Sequence, residues 1–170
     1  METLSPPSSS AYGPLFNSAL ETGLRALIVL EAFYPRRCSL MEMTWFDHLV
    51  VHTADVDGPD SLHPDLAPRI GELFVRRRLV EDSLNLMRSV HMVDVRHDDD
   101  GIHFQASEDA PSFLGMLQSP YIVNLKDRAR WLAERFARAE PAEIERIVKE
   151  RIGRLRTDFQ AAGSPGEANQ

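Results

Sequence analysis

Apolar residues at helical spacing over most of its length, and one alternating stretch broken by Asp98-Asp99-Asp100-Gly101, predict that this chain is mainly α with a small β-hairpin. The order of elements between Leu40 and Ser107, helices and then the hairpin, sharpens this to a winged-helix-like domain with N-terminal and C-terminal helical extensions. The predicted boundaries are a disordered tail at residues 1–14, the winged-helix-like domain at 15–139, an amphipathic helix at 140–162 and a second disordered tail at 163–170.

Each element has a local cause. Residues 1–14 are rich in Pro, Ser and Gly and hold too little apolar area to offset the entropy of ordering. Ser18 and Glu21 form a capping-box signature ahead of Leu20, Leu24, Leu27, Ile28 and Phe33, and Pro35 bars continuation of that helix. Ser39 and Glu42 repeat the signature before Leu40, Met43, Phe46 and Val50, and Asp55-Val56-Asp57-Gly58-Pro59 reads as a loop. A third helix, with Pro68 in its first turn, buries Ile70, Leu73 and Phe74. The run Arg76-Arg77-Arg78 interrupts it, and a fourth helix starts near Leu79 with Val80, Leu84, Met87 and Val90 inward.

The hairpin sets Met92, Val93 and Val95 against Ile102, Phe104 and Ala106, with Gly101 supplying the positive φ of a tight turn. Glu108-Asp109 suit the N-terminus of a short helix lined by Phe113, Leu114 and Leu117. Ser119-Pro120 restarts a longer one through Tyr121, Leu125, Trp131, Leu132 and Phe136. Pro141 opens the last, whose Ile144, Ile147, Val148, Ile152, Leu155 and Phe159 form one stripe that must dock on the body of the domain or on a separate chain.

Composition narrows the function. At 170 residues, 43% apolar and 26% charged, the chain fits one soluble domain with a normal core. Its formal charge is −7, unevenly placed: residues 126–158 hold ten Lys and Arg against seven acids, whereas 1–125 hold nine against eighteen. From Asp94 to Asp109 there are six acidic residues and only Arg96 to balance them. A duplex presents a dense row of phosphates and would repel such a hairpin, so the predicted module binds protein rather than DNA. The single cysteine, Cys38, rules out a disulfide framework and reads as an ordinary buried thiol, since no base lies near it in sequence. The N-terminus lacks the basic and apolar stretches of a signal peptide, and the longest aliphatic run, Ala26 to Leu30, is far too short to cross a bilayer; a cytoplasmic protein without membrane contact is expected.

Catalytic signatures are absent: no Gly is followed by Lys as in a phosphate-binding loop, and there is no Gly-x-Ser-x-Gly and no His-Glu-x-x-His. No cofactor is expected. The one chemically suggestive cluster is Asp47, His48, His52 and Asp55, with His63 as a further donor, because His48 and His52 four residues apart share a helix face. Such spacing arises often without a metal, and these side chains read instead as caps that hydrogen-bond across the loop. Arg76-Arg77-Arg78 offers guanidinium forks to phosphate or carboxylate, or simply marks a solvated helix end. His91, His97 and His103 flank the hairpin, and the two that lie on its strands read as polar, solvent-facing positions.

A resemblance rests on Leu15 to Arg25 (Leu-Phe-Asn-Ser-Ala-Leu-Glu-Thr-Gly-Leu-Arg), Asp47 to His52, Ser61-Leu62-His63-Pro64, Arg76-Arg77-Arg78-Leu79-Val80 and Leu84-Asn85-Leu86-Met87. These segments resemble the middle component of bacterial three-component ABC-ATPase conflict systems, a group that includes the small third subunit of Lamassu antiphage defence. The likeness spans about Gly13 to Phe136, with Gly101 and Ser119-Pro120-Tyr121, and does not take in the helix after Pro141. It implies a non-catalytic subunit that sits with an SMC-like ABC ATPase and a nuclease-type effector, meets DNA only through the complex and holds the effector silent. It supplies no catalytic residues. Aromatic and Arg side chains dominate interfaces, so Tyr12, Phe16, Tyr34, Arg76, Arg77, Tyr121 and Trp131 are the candidate partner-binding residues. The alternatives are a winged-helix transcription regulator, favoured by the outline and opposed by the acidic hairpin, and a metal-dependent enzyme built on His48 and His52.

Overall fold

The computed structural model describes residues 18–64 and 70–162, with the side chains of 70–74, 152 and 154–162 left undescribed. The described residues form six helices and a three-stranded antiparallel sheet: α1 (Ala19–Phe33), β1 (Cys38–Ser39), α2 (Leu40–Leu49), a 3-10 turn (Thr53–Val56), α3 (Ile70–Ser89), β2 (Val93–Asp98), β3 (Gly101–Ala106), α4 (Ala110–Gly115), α5 (Pro120–Phe136) and α6 (Pro141–Ala162). The mainly helical class with a small hairpin is as the sequence predicts. The strand order β1-β3-β2 and the element order α1-β1-α2-α3-β2-β3 are compatible with a winged helix.

Capping explains where helices begin. Ser18 Oγ accepts from Glu21 N at 3.2 Å, closing half of the predicted box on α1. At α2 both halves form, with Ser39 N donating to Glu42 Oε2 at 2.8 Å and Ser39 Oγ accepting from Glu42 N at 3.3 Å. Ser119 caps α5 with Pro120 at its first position. The Glu42 carboxylate also accepts from Arg36 Nη2 at 2.5 Å, and Arg36 Nη1 donates to the Phe136 and Ala137 carbonyls at 2.6 and 3.0 Å. One guanidinium thereby joins the start of α2 to the end of α5, where unsatisfied carbonyls and the negative pole of the helix attract a cation.

Two expectations need correction. Residues 70–89 form one helix of 20 residues, not two separated by the arginine run. Arg is a good helix former, and the chain between Ile70 and Ser89 holds no proline to break the turn. The helices that precede the hairpin are therefore α1, α2 and α3, and the run is not a helix end. The two-residue strand β1 was also unforeseen. It pairs Cys38 with Phe104 and Ser39 with His103, turning the hairpin into a sheet.

Helix α3 ends with His91 at φ 61°, Met92 N donating to Met87 O at 2.9 Å and His91 N to Arg88 O at 3.0 Å. That pattern satisfies the last carbonyls of the helix in the manner usually served by glycine. The hairpin follows in the register Val93↔Ala106 to Asp98↔Gly101, with Gly101 at φ 132° as anticipated. Its apolar face is buried at the base, where Val93, Phe104 and Ala106 join the core, and Ile102 stands exposed at the tip.

The core is contiguous and gathers α1, α2, α3 and α5 around Leu27, Leu30, Phe46, Leu84, Leu132 and Phe136, all essentially inaccessible. Gly23 lets α1 approach α3 closely, since a Cβ there would stand 2.7 Å from Met87 Cε. Of the last helix, Ile144 and Val148 are buried against the domain, with α2 and the 3-10 turn as neighbours. Leu155 and Phe159 lie outside the described side chains.

Candidate functional site

Polar groups converge where α1, α2 and α3 meet. Asp47, on α2 between Phe46 and His48, is fully buried. Its Oδ1 accepts from Arg25 Nε of α1 at 2.5 Å and its Oδ2 from Arg76 Nη1 of α3 at 2.6 Å. Arg25 is itself only 4% exposed and also donates to Thr22 Oγ1 at 3.3 Å. Burial by itself would raise the Asp47 carboxyl, but the two guanidiniums outweigh it and hold the group below the usual carboxylate range. Burial likewise disfavours the Arg25 cation, and Asp47 reverses the sign, so the guanidinium stays charged. The three side chains are one electrostatic unit, and taking away one partner would strand a buried charge.

A second arm runs out along the loop after α2. His48, in the last turn of α2, and His52, three residues past its end in non-helical backbone, stack with ring centroids 4.5 Å apart, so the single helix face expected for the pair is not what brings them together. His48 Nε2 lies 3.4 Å from Asp55 Oδ2. His52 meets His63 edge-on at 6.1 Å, and His63 Nε2 is 2.9 Å from the Tyr121 hydroxyl of α5. Burial and the neighbouring His48 push the His52 imidazole down to about 4, so it is neutral at pH 7. Burial, with Arg25 and Arg76, lowers His63 too, and burial raises the Tyr121 phenol despite the nearby Arg25. Arg25 thus faces both Asp47 and Tyr121, and the two arms meet on it.

This geometry assigns the residues that the sequence proposed as metal ligands. Asp47 presents each oxygen to a guanidinium, while His48, His52, Asp55 and His63 bind the loop to α2 and α5. Among the described residues, the three ligand-type side chains that come within coordinating distance of one another are elsewhere: Asp98, Asp100 and His103 on the hairpin. Asp98 there pairs with Arg37 at 3.1 Å and with His103 at 3.5 Å. His103 is thus partly buried rather than solvent-facing, with its Nδ1 beside Asp98, whereas His97 is exposed as expected.

The candidate partner residues do not form one patch. Tyr12 and Phe16 lie outside the described residues. Tyr34 is 62% exposed just past the end of α1. Arg77 is exposed on α3, whereas Arg76 turns inward to Asp47. Tyr121 is half-buried on His63. Trp131 is half-buried over Gly58, so close that a Cβ there would stand 2.6 Å from the indole. Sequence reasoning missed Arg25. Its signal was an arginine directly before the aliphatic run Ala26 to Leu30, matched by an aspartate inside the apolar segment around Trp45 and Phe46.

Outside the core, the hairpin and the residues after it are acidic as predicted, with Asp94, Asp98, Asp99, Asp100, Glu108 and Asp109 all exposed. Cys38 is buried, its thiol pushed up to about 12 chiefly by burial. No described helix is long and apolar enough to cross a membrane.

No curated protein and no solved structure matches the chain. The family model for ABC-three component (ABC-3C) system Middle Component 2 matches residues 15–158, which extends beyond the Phe136 limit of the resemblance read from sequence and takes in most of α6. With so much of its length matched, the chain belongs to the ABC-3C Middle Component 2 family, and it works as one part of a multi-component system.

Proposed function

We propose that this middle component is a non-catalytic accessory subunit of an antiphage and anti-plasmid defence complex of the Lamassu kind. It bridges an SMC-like ABC ATPase to a nuclease-type effector and keeps the effector silent until the ATPase meets foreign DNA. The chain works in the cytoplasm, without a membrane, and contacts DNA only through the assembly.

The observation that carries this reading is the exposed acidic hairpin on a fold compatible with a winged helix. Six acids against one arginine would oppose phosphate at the place where such folds meet DNA, and the same surface suits basic protein partners. A non-catalytic role is supported by the state of the reactive groups: the Asp47 oxygens are held by Arg25 and Arg76, and the Cys38 thiol is far from ionised at neutral pH. Membership of a three-component system supports the existence of partner components.

The test is coexpression with the products of the neighbouring genes. The subunit is expected to copurify with a large ATPase and an effector and to show no hydrolase activity alone. Recovery as a monomer beside those proteins, or turnover by the isolated subunit, would contradict the proposal. The strand order favours one rival, a winged-helix transcription regulator. A DNA titration across salt concentrations separates the two, because direct phosphate contacts give a steep salt slope and an accessory subunit gives none.

A further inference from the structure

Two clefts on the outer side of α1 and α5 share Ala32 and Arg130 and so form one groove. The larger, about 620 Å³, lies over Ala32, Phe33, Ala133 and Ala137, with Tyr34 at its rim. The smaller, about 240 Å³, continues past Glu31 to Pro111, Leu114 and Lys126. Three alanines make a shallow apolar floor that a side chain from outside can reach without displacing anything. Tyr34 beside it offers a large exposed ring with few rotatable bonds, a residue type enriched where binding energy concentrates.

The charges around the groove are not balanced. Every cation in its walls is already engaged: Arg36 with Glu42 and the Phe136 and Ala137 carbonyls, Arg130 with Asp127 at 3.0 Å, and Lys126 with the Leu114 and Leu117 carbonyls at 2.6 and 2.8 Å. The two carboxylates, Glu31 and Glu134, are exposed, and neither has an ion-pair or hydrogen-bond partner among the described residues. A small-molecule pocket would turn polar groups into its interior to fix the ligand's orientation. Here the unengaged charges line an open edge, which is the arrangement of an interface with an apolar centre and a polar rim.

We infer that this groove docks a segment of a partner component in which an apolar side chain is flanked by Lys or Arg, the apolar group resting on Ala32, Ala133 and Ala137 and the cations meeting Glu31 and Glu134. The inference rests on the accessory-subunit reading and names where one partner binds.

The test uses the full chain coexpressed with the two other components of its system. A photocrosslinking amino acid at Tyr34 is expected to trap one of them, at a peptide carrying Lys or Arg beside an apolar residue. The double variant Glu31→Lys/Glu134→Lys is expected to weaken retention of that component at least tenfold, with Glu31→Gln/Glu134→Gln weakening it less and the melting transition of the lone subunit unchanged. If the native chain assembles but the crosslink reaches only a second copy of itself or nothing, or the charge reversal leaves retention unaltered, the groove is not the docking site and the accessory role stands. If the native chain assembles with neither component, the accessory role itself fails, and the inference with it.

Discussion

The interior junction at Asp47 and the hairpin at Asp98 to Asp100 use the same residue types to opposite ends. At the junction one carboxylate is buried and shared by two guanidiniums from different helices, so both of its oxygens are paired and the geometry is fixed. On the hairpin and the three residues after it six carboxylates are exposed, and Asp94, Asp99, Glu108 and Asp109 carry no ion pair among the described residues. Directly paired charges inside low-dielectric surroundings hold α1, α2 and α3 together. Unmatched charges at the surface add little to stability and create a field that selects partners. The first region maintains the shape, and the second is free to be read.

Mutations should separate the two regions sharply. Asp47→Ala leaves Arg25 buried without its counter-ion, and urea denaturation should show a loss of about 3–5 kcal/mol; a loss under 1 kcal/mol would mean that the junction is not a structural unit. Acidification acts on the same region more gently. The folded His52 titrates near 4, below its unfolded value, so the unfolded chain binds more protons between about pH 6.5 and 4. Its contribution is complete above that window and declines as pH falls through it, by about 2 kcal/mol after allowance for partial screening. His52→Gln should flatten that slope in a pH series of melts. The lowered Asp47 adds a further decline only below its unfolded range, near pH 4 and under.

Tyr121→Phe removes the hydroxyl that meets His63 at 2.9 Å and should cost about 1 kcal/mol by the same assay. Smallest of all, Asp94→Lys with Asp99→Lys should change stability by no more than about 0.5 kcal/mol. That variant sharpens the contrast from the other side, since it should lose partner retention and gain salt-sensitive DNA binding while keeping its fold. A hairpin variant that unfolds the protein, or one that retains its partners fully, would erase the distinction between the two regions.

Much of the architecture was legible because it is written in short-range patterns. Ser39 and Glu42 announce α2, Gly101 marks the turn, and the alternation of Ile102, Phe104 and Ala106 marks the strand. The acidity of the hairpin is a matter of composition and could be read directly. The continuity of α3 was missed because a charged run looks like an interruption, whereas a helix accepts arginines whenever the fold gives one of them a carboxylate to meet. The junction was missed for a related reason. Arg25 and Asp47 are 22 residues apart and Asp47 and Arg76 are 29 apart, and no local signal joins them. The two histidines were expected on one helical face, but α2 stops at Leu49 and His52 lies beyond it, so their stacking comes from the path of the loop, which a spacing of four does not reveal. β1 is two residues long and exists only through its pairing with β3, so it leaves no periodicity to detect.

Hydrogen–deuterium exchange on the subunit alone and within its coexpressed assembly tests the division of labour most directly. Amides of α2 and the middle of α3, around Asp47 and Ser83, should be equally protected in both states, while residues 94–109 should gain protection only in the assembly. Unchanged exchange across the hairpin, with new protection confined to the Asp47 junction, would contradict the account.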